Sequence, residues 1–267
     1  MEPISQTPKG IRQTRQENRR TQVMDAVLAD GSVRIEELAH RFGISLMTVH
    51  RDLDDLEARG ILRKSRGMAT AQATSLVESS DAYRAGRQLA EKESIARTCS
   101  EHIQPGQAIM LDDSTTVRHL APHLVSRVPL TVITNALPLI MALREVRDLS
   151  LIALGGSYAN WCGAFMGKAT VDEVIGLRAD IVVMSTAAIV DDMCFHQEHE
   201  TVAVKRAMLK SAASKILLAD HTKFEKRALH GLVPLAEFDL IIVDRGTPIE
   251  HITRLRGQGI EVLVASG

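Results

Sequence analysis

The chain has 267 residues, 45% hydrophobic and 24% charged, which is typical of a globular protein with two domains. It shows no apolar run long enough to cross a bilayer, no secretory signal and no disulfide-type cysteine pattern, so we expect a cytoplasmic protein. The charged residues that give the net charge of −1 are unevenly distributed along the chain. Residues 1–72 carry 12 Lys and Arg against 10 Asp and Glu, and the remainder carries 20 against 23, which permits DNA contact near the N-terminus.

Three helical patterns follow one another in the first sixty residues. The apolar face of the first pattern stops at Asp30-Gly31, and the second has apolar residues at i, i+3, i+4 and i+7 before it breaks at Gly43. Ser45 is a good N-cap for the third helix, which we expect to end near Arg59-Gly60. Residues Ile61–Ala71 then alternate around a glycine and predict a β-hairpin. The inward stripe of the third helix is Val49, Leu53 and Leu56.

This order of helices and hairpin is that of a winged helix-turn-helix, in which the helix after the turn enters the major groove of DNA. Because the apolar stripe faces inward, the outer side of this helix carries polar side chains that can reach bases or phosphates. A small helical bundle with a charged surface is the alternative. The residues that we expect to contact double-stranded DNA are Ser45, Met47, Thr48, His50, Arg51, Arg63, Lys64 and Arg66.

The pattern predicts a DNA-binding domain at residues 1–67, a small and polar linker at 68–82, and an effector domain at 83–267. In the effector domain a helical pattern at Arg87–Ile103 precedes short apolar strands that alternate with helices, which favours a doubly wound α/β fold with a largely parallel sheet. The predicted strands are Ala108–Leu111, Leu130–Thr134, Leu149–Leu154, Ile181–Ser185, Ile216–Ala219, Leu240–Val243 and Glu261–Val264. The predicted helices are Thr116–Leu124, Leu137–Glu145, Lys168–Leu177, Glu200–Ala213 and Ile249–Arg256.

Polar residues and glycines follow several of these strands. Strand ends meet at one edge of an open α/β sheet, where ligands bind. Hydroxyls and amides at the start of a helix favour an anion, a lysine supplies positive charge, and a pair of glycines lets the backbone approach a ligand. Ordinary turn chemistry is the alternative for any single loop. The residues that we expect to bind a small effector are Asp112, Asp113, Ser114, Thr115, Thr116, Thr134, Asn135, Gly155, Gly156, Glu200 and Lys223, with His196 as a further candidate.

These motifs resemble the DeoR family of bacterial repressors along most of the chain. Two departures stand in the N-terminal part, where His50 replaces the family's usual arginine and Arg66-Gly67-Met68 replaces its His-Gly-Gly. The N-terminal matches are Glu37–Ala39, Phe42, Ile44-Ser45, Thr48-Val49, Arg51–Leu53, Leu56-Glu57 and Gly60–Leu62. The matches in the effector domain are Arg84, Glu91-Lys92, Ile95-Ala96, Asp112–Thr116, Ile133–Asn135, Leu154–Gly156, Glu200, Lys205 and Asp220–Phe224.

The resemblance implies a fold similar to ribose-5-phosphate isomerase and an effector that is a phosphorylated sugar or sugar-acid derivative. It places the phosphate against Ser114–Thr116 and Lys223, with Thr134-Asn135 lining the pocket and Asp112-Asp113 bonding sugar hydroxyls. The expected function is a repressor of carbohydrate-metabolism genes that the effector releases from its DNA operator. Since helix-turn-helix proteins usually read paired half-sites, we expect a homodimer or homotetramer.

Two other chemistries fit parts of the sequence. Residues Cys194–His199 contain two histidines three apart near a cysteine, which can ligate zinc. No Cys-x-x-Cys or His-Glu-x-x-His pattern accompanies them, so we predict no metal and no other cofactor. Asp112, Asp113 and Lys223 also have the parts for proton transfer in a sugar-phosphate isomerase. Because a DNA-reading module is attached, we expect binding rather than catalysis, and the isomerase stays as the alternative function.

Overall fold

A computed structural model describes residues 8–30, 32–58, 62–71 and 81–266, and divides the chain into two compact units, Met1–Tyr83 and Arg84–Gly267. Within these described ranges, no helix is both long enough and apolar enough to span a bilayer. The predicted linker begins too early, because residues 68–71 form a paired strand of the first unit. Three predicted features lie outside the described residues. They are the rest of the linker up to residue 80, the turn glycine Gly31 and the helix end at Arg59-Gly60.

The first unit is a three-helix fold with a small antiparallel sheet, as the winged helix-turn-helix pattern predicts. Its helix α2 (Ile35–Phe42) ends where Gly43 adopts a left-handed backbone with φ of 61°. The backbone N–H of Thr48 donates to Ser45 Oγ at 3.2 Å, so the predicted N-cap is confirmed. The small sheet has β3 (Met68–Ala71) in the middle, between β1 (Ser32–Arg34) and β2 (Leu62–Ser65), and β1 is a strand that the sequence pattern did not predict. The elements are α1 (Pro8–Asp30), β1 (Ser32–Arg34), α2 (Ile35–Phe42), α3 (Leu46–Ala58), β2 (Leu62–Ser65) and β3 (Met68–Ala71).

A buried carboxylate joins α1 to α3. Asp52 lies on the inner side of α3 with no exposed surface, and Arg19 of α1 donates to it through Nε at 2.6 Å and Nη2 at 3.0 Å. Arg20 adds a third donor at 3.3 Å and pairs with Asp55 at 3.1 Å. Because charge-assisted bonds of this kind have a fixed geometry, they hold α3 in one orientation against α1.

The second unit is an α/β domain with a central sheet of seven strands. Helix α4 (Asp81–Ala85) spans the boundary between the two units, and the helices of the second unit are α5 (Leu89–Ser100), α6 (Thr115–Arg118), α7 (Ala121–Leu124), α8 (Leu137–Leu143), α9 (Lys168–Ile175), α10 (His199–Lys210) and α11 (Ile249–Gly257). Its strands are β4 (Ala108–Leu111), β5 (Leu130–Thr134), β6 (Leu149–Ala153), β7 (Ser157–Ala159), β8 (Ala164–Met166), β9 (Ala179–Ser185), β10 (Ala188–Val190), β11 (Met193–His196), β12 (Ala212–Ala219), β13 (His230–Pro234), β14 (Leu240–Val243) and β15 (Val262–Val264).

The strand order across the central sheet is β15-β14-β12-β9-β4-β5-β6, and all neighbouring pairs are parallel. All seven strands predicted from sequence are therefore present, and the doubly wound fold is confirmed. The chain starts in the middle at β4, runs outward through β5 and β6, and then returns to β9 on the other side. The strand order thus reverses between β4 and β9, and in open α/β sheets ligands bind outside the carboxyl ends of the strands at such a point.

Helices cover both faces of this sheet. One apolar core lies under α5–α8 and includes Ile95, Leu120 and Leu139, whereas the other lies under α9–α11 and includes Val204 and Ile252. Strands buried on both faces require continuous apolar runs, which explains why these segments were predictable. Two short antiparallel sheets, β7-β8 and β10-β11-β13, pack outside the central one and were not predicted.

Two predicted helices differ from the structure in physically understandable ways. The helix expected at Thr116–Leu124 is two short helices, α6 and α7, because Pro122 stands in the first turn of α7 and has no N–H for a continuous helix. The helix expected to reach Ala213 ends at Lys210. Residues from Ala212 onward pair with β9 and extend β12 instead.

Candidate functional site

The outer side of α3 carries the side chains that the sequence predicted to face DNA. Met47 is 73% exposed, His50 and Arg51 are exposed, and Thr48 is half-buried, whereas the apolar stripe faces the core. Ser45 is exposed at the cap. This geometry presents a slim helix with polar and apolar groups at its N-terminal end, which suits the major groove.

The wing carries three basic side chains with different surroundings. Arg63 and Arg66 are exposed, and Arg66 with Gly67 forms a tight turn in which both residues have positive φ. Lys64 is tied to α3 instead, because its ammonium pairs with Asp54 and its backbone N–H donates to Glu57 Oε1 at 2.7 Å. The charge of Lys64 is therefore partly neutralised within the fold, in contrast to the other two.

Asp112 lies at the end of β4, on one side of the reversal point, with no exposed surface. Its Oδ1 accepts from the backbone N–H of Ser114 at 3.0 Å and from Ser114 Oγ at 2.6 Å. Its Oδ2 accepts from the backbone N–H of Ser185 at 2.9 Å and from Lys205 Nζ. A carboxylate has about four lone-pair positions, and protein donors occupy as many. The carboxylate of Asp112 therefore orders the loop, which disfavours the predicted contact with sugar hydroxyls.

Lys205 reaches the same place from α10 and is almost completely buried. Its Nζ donates to Asp112 and to the carbonyl of Ser185 at 3.1 Å, and lies 3.5 Å from Asp113 Oδ1. Asp113 is also buried. The reversal point is thus built around two carboxylates and one ammonium that pair with each other.

The loop after β4 uses its first hydroxyl internally. Ser114 Oγ donates to Asp112 and accepts from the backbone N–H of Val117 at 3.2 Å, which caps α6. Thr115 and Thr116 are buried in the first turn of this helix, which is only four residues long. The hydroxyl of Ser114 therefore makes its hydrogen bonds within the protein. The position of the two threonines is compatible with the predicted contact to a phosphate.

The predicted binding residues after β5 are buried and bonded to nearby backbone, whereas Glu200 on α10 is exposed. Thr134 Oγ1 accepts from the backbone N–H of Ala136 at 3.1 Å, and Asn135 Nδ2 donates to the carbonyl of Phe165 at 2.9 Å. Both side chains are fully buried. Glu200 lies exposed in the first turn of α10.

Gly155 and Gly156 have a packing role at the edge of the sheet. The backbone of Gly155 bonds to Glu173 Oε2 at 2.8 Å and to Thr170 Oγ1 at 2.6 Å, both on α9. A Cβ on Gly156, whose φ is 137°, would lie 2.2 Å from Thr170 Oγ1. The glycine pair therefore lets β6 approach α9, and this packing accounts for both glycines, whereas their contact with a ligand stays a prediction.

Positive charge gathers where β12 ends, next to the start of α5. Here Lys92 is 3% exposed and donates to the carbonyl of Arg84, and the side chain of Lys223 is 12% exposed with its Nζ 3.9 Å from Asp220 Oδ2. The pKa of Lys92 is lowered to about 8, chiefly by burial and then by repulsion from Lys223, Arg84 and Lys226. The attraction of Asp220 acts in the opposite direction and is too weak to prevent this. We call these four basic residues and Asp220 the cationic cluster.

The short helical turn that carries Lys223 is fixed at its beginning. Asp220 Oδ1 accepts from the backbone N–H of Thr222 at 3.1 Å, and the ring of His221 bonds through Nδ1 to Asp244 Oδ2 at 2.8 Å. Gln88 Nε2 lies 3.3 Å from the other ring nitrogen. The cation of Lys223 is thus presented by a loop that is anchored to both β14 and α5.

His196 is within range of the charges of both the cationic cluster and Lys205. It ends β11 and is 4% exposed. Burial, with the charges of Lys205, Arg84 and Lys223, holds the pKa of His196 well below its ordinary value, so the imidazole is uncharged at neutral pH. Around it and elsewhere in the described part of the chain, no group of three or more His, Cys, Asp or Glu side chains has the arrangement to hold a metal ion.

A groove of about 580 Å³ adjoins the cationic cluster. Lys226 belongs to both, and the groove also contains the turn Asp191-Asp192 of the β10-β11 hairpin. On its wall Phe224 stacks on His251 with ring centroids 4.6 Å apart. The cationic cluster therefore has open space beside its exposed member, Lys226.

Two family models match the chain in the two units described above. The DeoR-like helix-turn-helix domain matches residues 19–75, and the DeoR C terminal sensor domain matches residues 87–245, more than half of the chain. The chain belongs to the DeoR family. The predicted resemblance is thereby confirmed over both domains, and DeoR-family proteins of this domain pair are transcriptional regulators.

Relatives of this DeoR-family chain align along most of its length. It is 27% identical to the glycerol-3-phosphate regulon repressor of Escherichia coli strain K12, over 93% of this chain and 98% of that protein. It is 30% identical to the lactose phosphotransferase system repressor of Lactococcus lactis, over 86% and 91%. A ribose 5-phosphate isomerase from Methanocaldococcus jannaschii aligns with a TM-score of 0.36 and 14% identity over 50% of this chain and 53% of that one, a similarity too slight to bear on function.

Three basic residues of the DeoR-family site, of which Lys92 and Lys205 are buried and Arg84 is half-buried, were not among the predicted binding residues. Arg84, Lys92 and Lys205 match the family pattern, but each lies on a helix, where a basic side chain is usually solvent-exposed. Their position within the family pattern was the signal that could have identified them.

Proposed function

We propose that this DeoR-family protein represses carbohydrate-metabolism genes and that a phosphorylated sugar, bound next to the reversal point of the sheet, releases it from its DNA operator. One observation carries the sensing half of this proposal. In the cationic cluster, the charges of Lys223, Arg84 and Lys226 all act on the buried ammonium of Lys92, with the carboxylate of Asp220 close by, and the side chain of Lys223 is largely buried as well.

A buried excess of positive charge is costly unless an anion compensates it. A phosphate supplies two negative charges and strong acceptor oxygens, and it forms charge-assisted hydrogen bonds with lysine and arginine. We therefore assign the phosphate to the cationic cluster, with Lys223 and Lys92 as its main contacts. Ser114 is left out because Asp112 and Val117 already use its hydroxyl.

The DNA-reading half rests on the exposed side of α3. We propose that Arg51 and His50 reach base edges, that Met47 contacts the bases through its apolar side chain, and that Arg63 and Arg66 contact phosphates. Because two copies are needed to read paired half-sites, a homodimer or homotetramer is part of the proposal. The names of the relatives, which are repressors of sugar-related genes, support this assignment.

An isomerase is less well supported than a regulator. Asp112 and Lys205 hold each other, which leaves neither of them positioned to move a proton on a sugar. The attached helix-turn-helix domain gives the protein a different output, and a shared fold does not imply a shared activity.

A thermal-shift screen combined with a DNA-binding assay tests the proposal. Sugar phosphates that bind the folded state should raise the melting temperature. The same compounds should lower the affinity for a DNA fragment carrying the gene's own promoter. The proposal fails if no sugar phosphate stabilises the protein, or if a stabilising compound is turned over to an isomer.

A further inference from the structure

Buried polar atoms without partners gather at the carboxyl edge of the sheet. As far as the described residues extend, Asn135 Oδ1, Ser185 Oγ and Thr201 Oγ1 make no hydrogen bond, and the ring of His196 makes only a weak one, to the backbone of Ser185. Each of these four residues is at most 4% exposed. Because an unpaired buried polar group costs free energy, such a cluster marks a place where another molecule supplies the missing bonds. We call these four residues the inner chamber.

The residues of the inner chamber lie next to the paired charges at the reversal point or on elements that adjoin them. Ser185 ends β9, and its carbonyl accepts from Lys205 Nζ at 3.1 Å. Thr201 lies one helical turn before Lys205, on the same side of α10. His196 is close enough for the charge of Lys205 to act on it, and Asn135 follows β5, next to the strand that carries Asp112.

The site therefore has two ends of different charge. At the cationic cluster, basic side chains outnumber the carboxylate of Asp220. At the inner chamber, the ammonium of Lys205 pairs with Asp112 and lies 3.5 Å from Asp113 Oδ1. The imidazole of His196 is uncharged. The inner end thus offers hydroxyls, a carbonyl oxygen and an imidazole, and its one cation is already paired.

Resting on the proposed function, we infer that the inner chamber binds the uncharged polyhydroxyl end of a sugar or polyol phosphate and discriminates against sugar acids, with His196 as a specificity-determining residue. A hydroxyl both donates and accepts, so it can satisfy Asn135 Oδ1 and an imidazole nitrogen together. A carboxylate only accepts, and it would meet the carboxylates of Asp112 and Asp113. Such like-charge contact in a buried site opposes binding.

Matched ligand pairs test this inference on the full chain by calorimetric titration. Glucitol 6-phosphate and 6-phosphogluconate differ only in a hydroxymethyl group against a carboxylate, and glycerol 3-phosphate and 3-phosphoglycerate form a shorter pair. In each pair that binds, the polyol phosphate should bind at least about tenfold more tightly, which corresponds to about 1.4 kcal/mol. Equal or tighter binding of the acid overturns the inference while leaving the proposed function standing. If these compounds do not bind and no sugar phosphate in the thermal-shift screen stabilises the protein, the proposed function itself fails.

Two conservative variants separate recognition from folding. Thr201→Val and Ser185→Ala remove hydroxyls that have no partner, so the melting temperature without ligand should stay constant or rise. The affinity for the polyol phosphate should fall about three- to tenfold, the equivalent of one ordinary hydrogen bond, and the affinity for inorganic phosphate should not change. In His196→Phe, the preference for the polyol over the acid should decline. Variants of Thr201 and Ser185 that melt earlier and bind the polyol phosphate normally would assign these hydroxyls to the fold and overturn the inference.

Discussion

Asp112 at the end of β4 and Lys205 on α10 form a buried ion pair at the point where the strand order of the sheet reverses. The same carboxylate holds the loop at Ser114 and the backbone of Ser185, so one side chain links β4, β9 and α10. This pair fixes the walls of the proposed effector site without being available to the effector.

Removing the cation of this pair should destabilise the effector domain strongly. Lys205→Met leaves the carboxylate of Asp112 buried without its counter-charge, which costs about 3–5 kcal/mol. Trp161 is the single tryptophan of the chain and lies in the second unit, so its fluorescence during denaturant unfolding reports on this domain. The double variant Asp112→Asn, Lys205→Met removes both charges and should recover part of the loss. A Lys205→Met protein with wild-type stability would contradict the assignment.

Effector binding should take up protons near pH 8. The pKa of Lys92 is lowered to about 8 in the free protein, chiefly by burial, and a phosphate beside it would raise that pKa again. Binding therefore favours the protonated lysine, and affinity should fall as the pH rises above about 8. The phosphate itself, with a second pKa of about 6, is already fully ionised there. Calorimetry at pH 8 in buffers of different ionisation enthalpy measures the uptake, and Lys92→Arg should abolish it. Wild-type binding without proton uptake would place the phosphate away from Lys92.

Two arginines of the first unit should have different effects on DNA binding. Arg51→Ala should weaken operator binding by about 1–3 kcal/mol and relax discrimination between sequences, because a base contact is lost. Arg63→Ala should weaken operator and unrelated DNA alike and flatten the salt dependence. Lys64→Ala should have a smaller effect than Arg63→Ala, since Asp54 already pairs with that ammonium. Unchanged operator affinity of Arg51→Ala in a fluorescence anisotropy titration would rule out its contact with bases.

The glycine pair after β6 provides an internally controlled test of packing. Gly156→Ala places a methyl group against Thr170 at a φ that alanine rarely adopts, and should destabilise the effector domain by about 2–4 kcal/mol. At Gly155 the added methyl group meets only Glu173 at 3.5 Å, so Gly155→Ala should cost much less. Denaturant unfolding followed by Trp161 fluorescence compares the two. Equal stability of both variants, with equal loss of effector binding, would restore a ligand role for the pair.

The sequence allowed the central sheet and the helix-turn-helix to be predicted because their signals are local. Strands buried on both faces read as short apolar runs, and the cap at Ser45 and the left-handed turn at Gly43 follow from residue type. The hairpin β10-β11 was missed because its turn, Asp191-Asp192, places two non-glycine residues at positive φ. The pairing of Asp112 with Lys205 joins residues 93 positions apart, which no local pattern reveals.

The most direct test of the central claim is operator binding measured with and without a sugar phosphate, for wild type and for Lys223→Ala. Hydrogen bonds to charged groups contribute about 1.5–3 kcal/mol, so the variant should need about 10- to 100-fold more effector for release. Its affinity for the operator without effector should equal that of wild type, because Lys223 belongs to the other unit. A variant that releases DNA at the wild-type effector concentration would contradict the proposed phosphate site. A variant that no longer binds DNA would assign Lys223 to the fold or to oligomer formation instead.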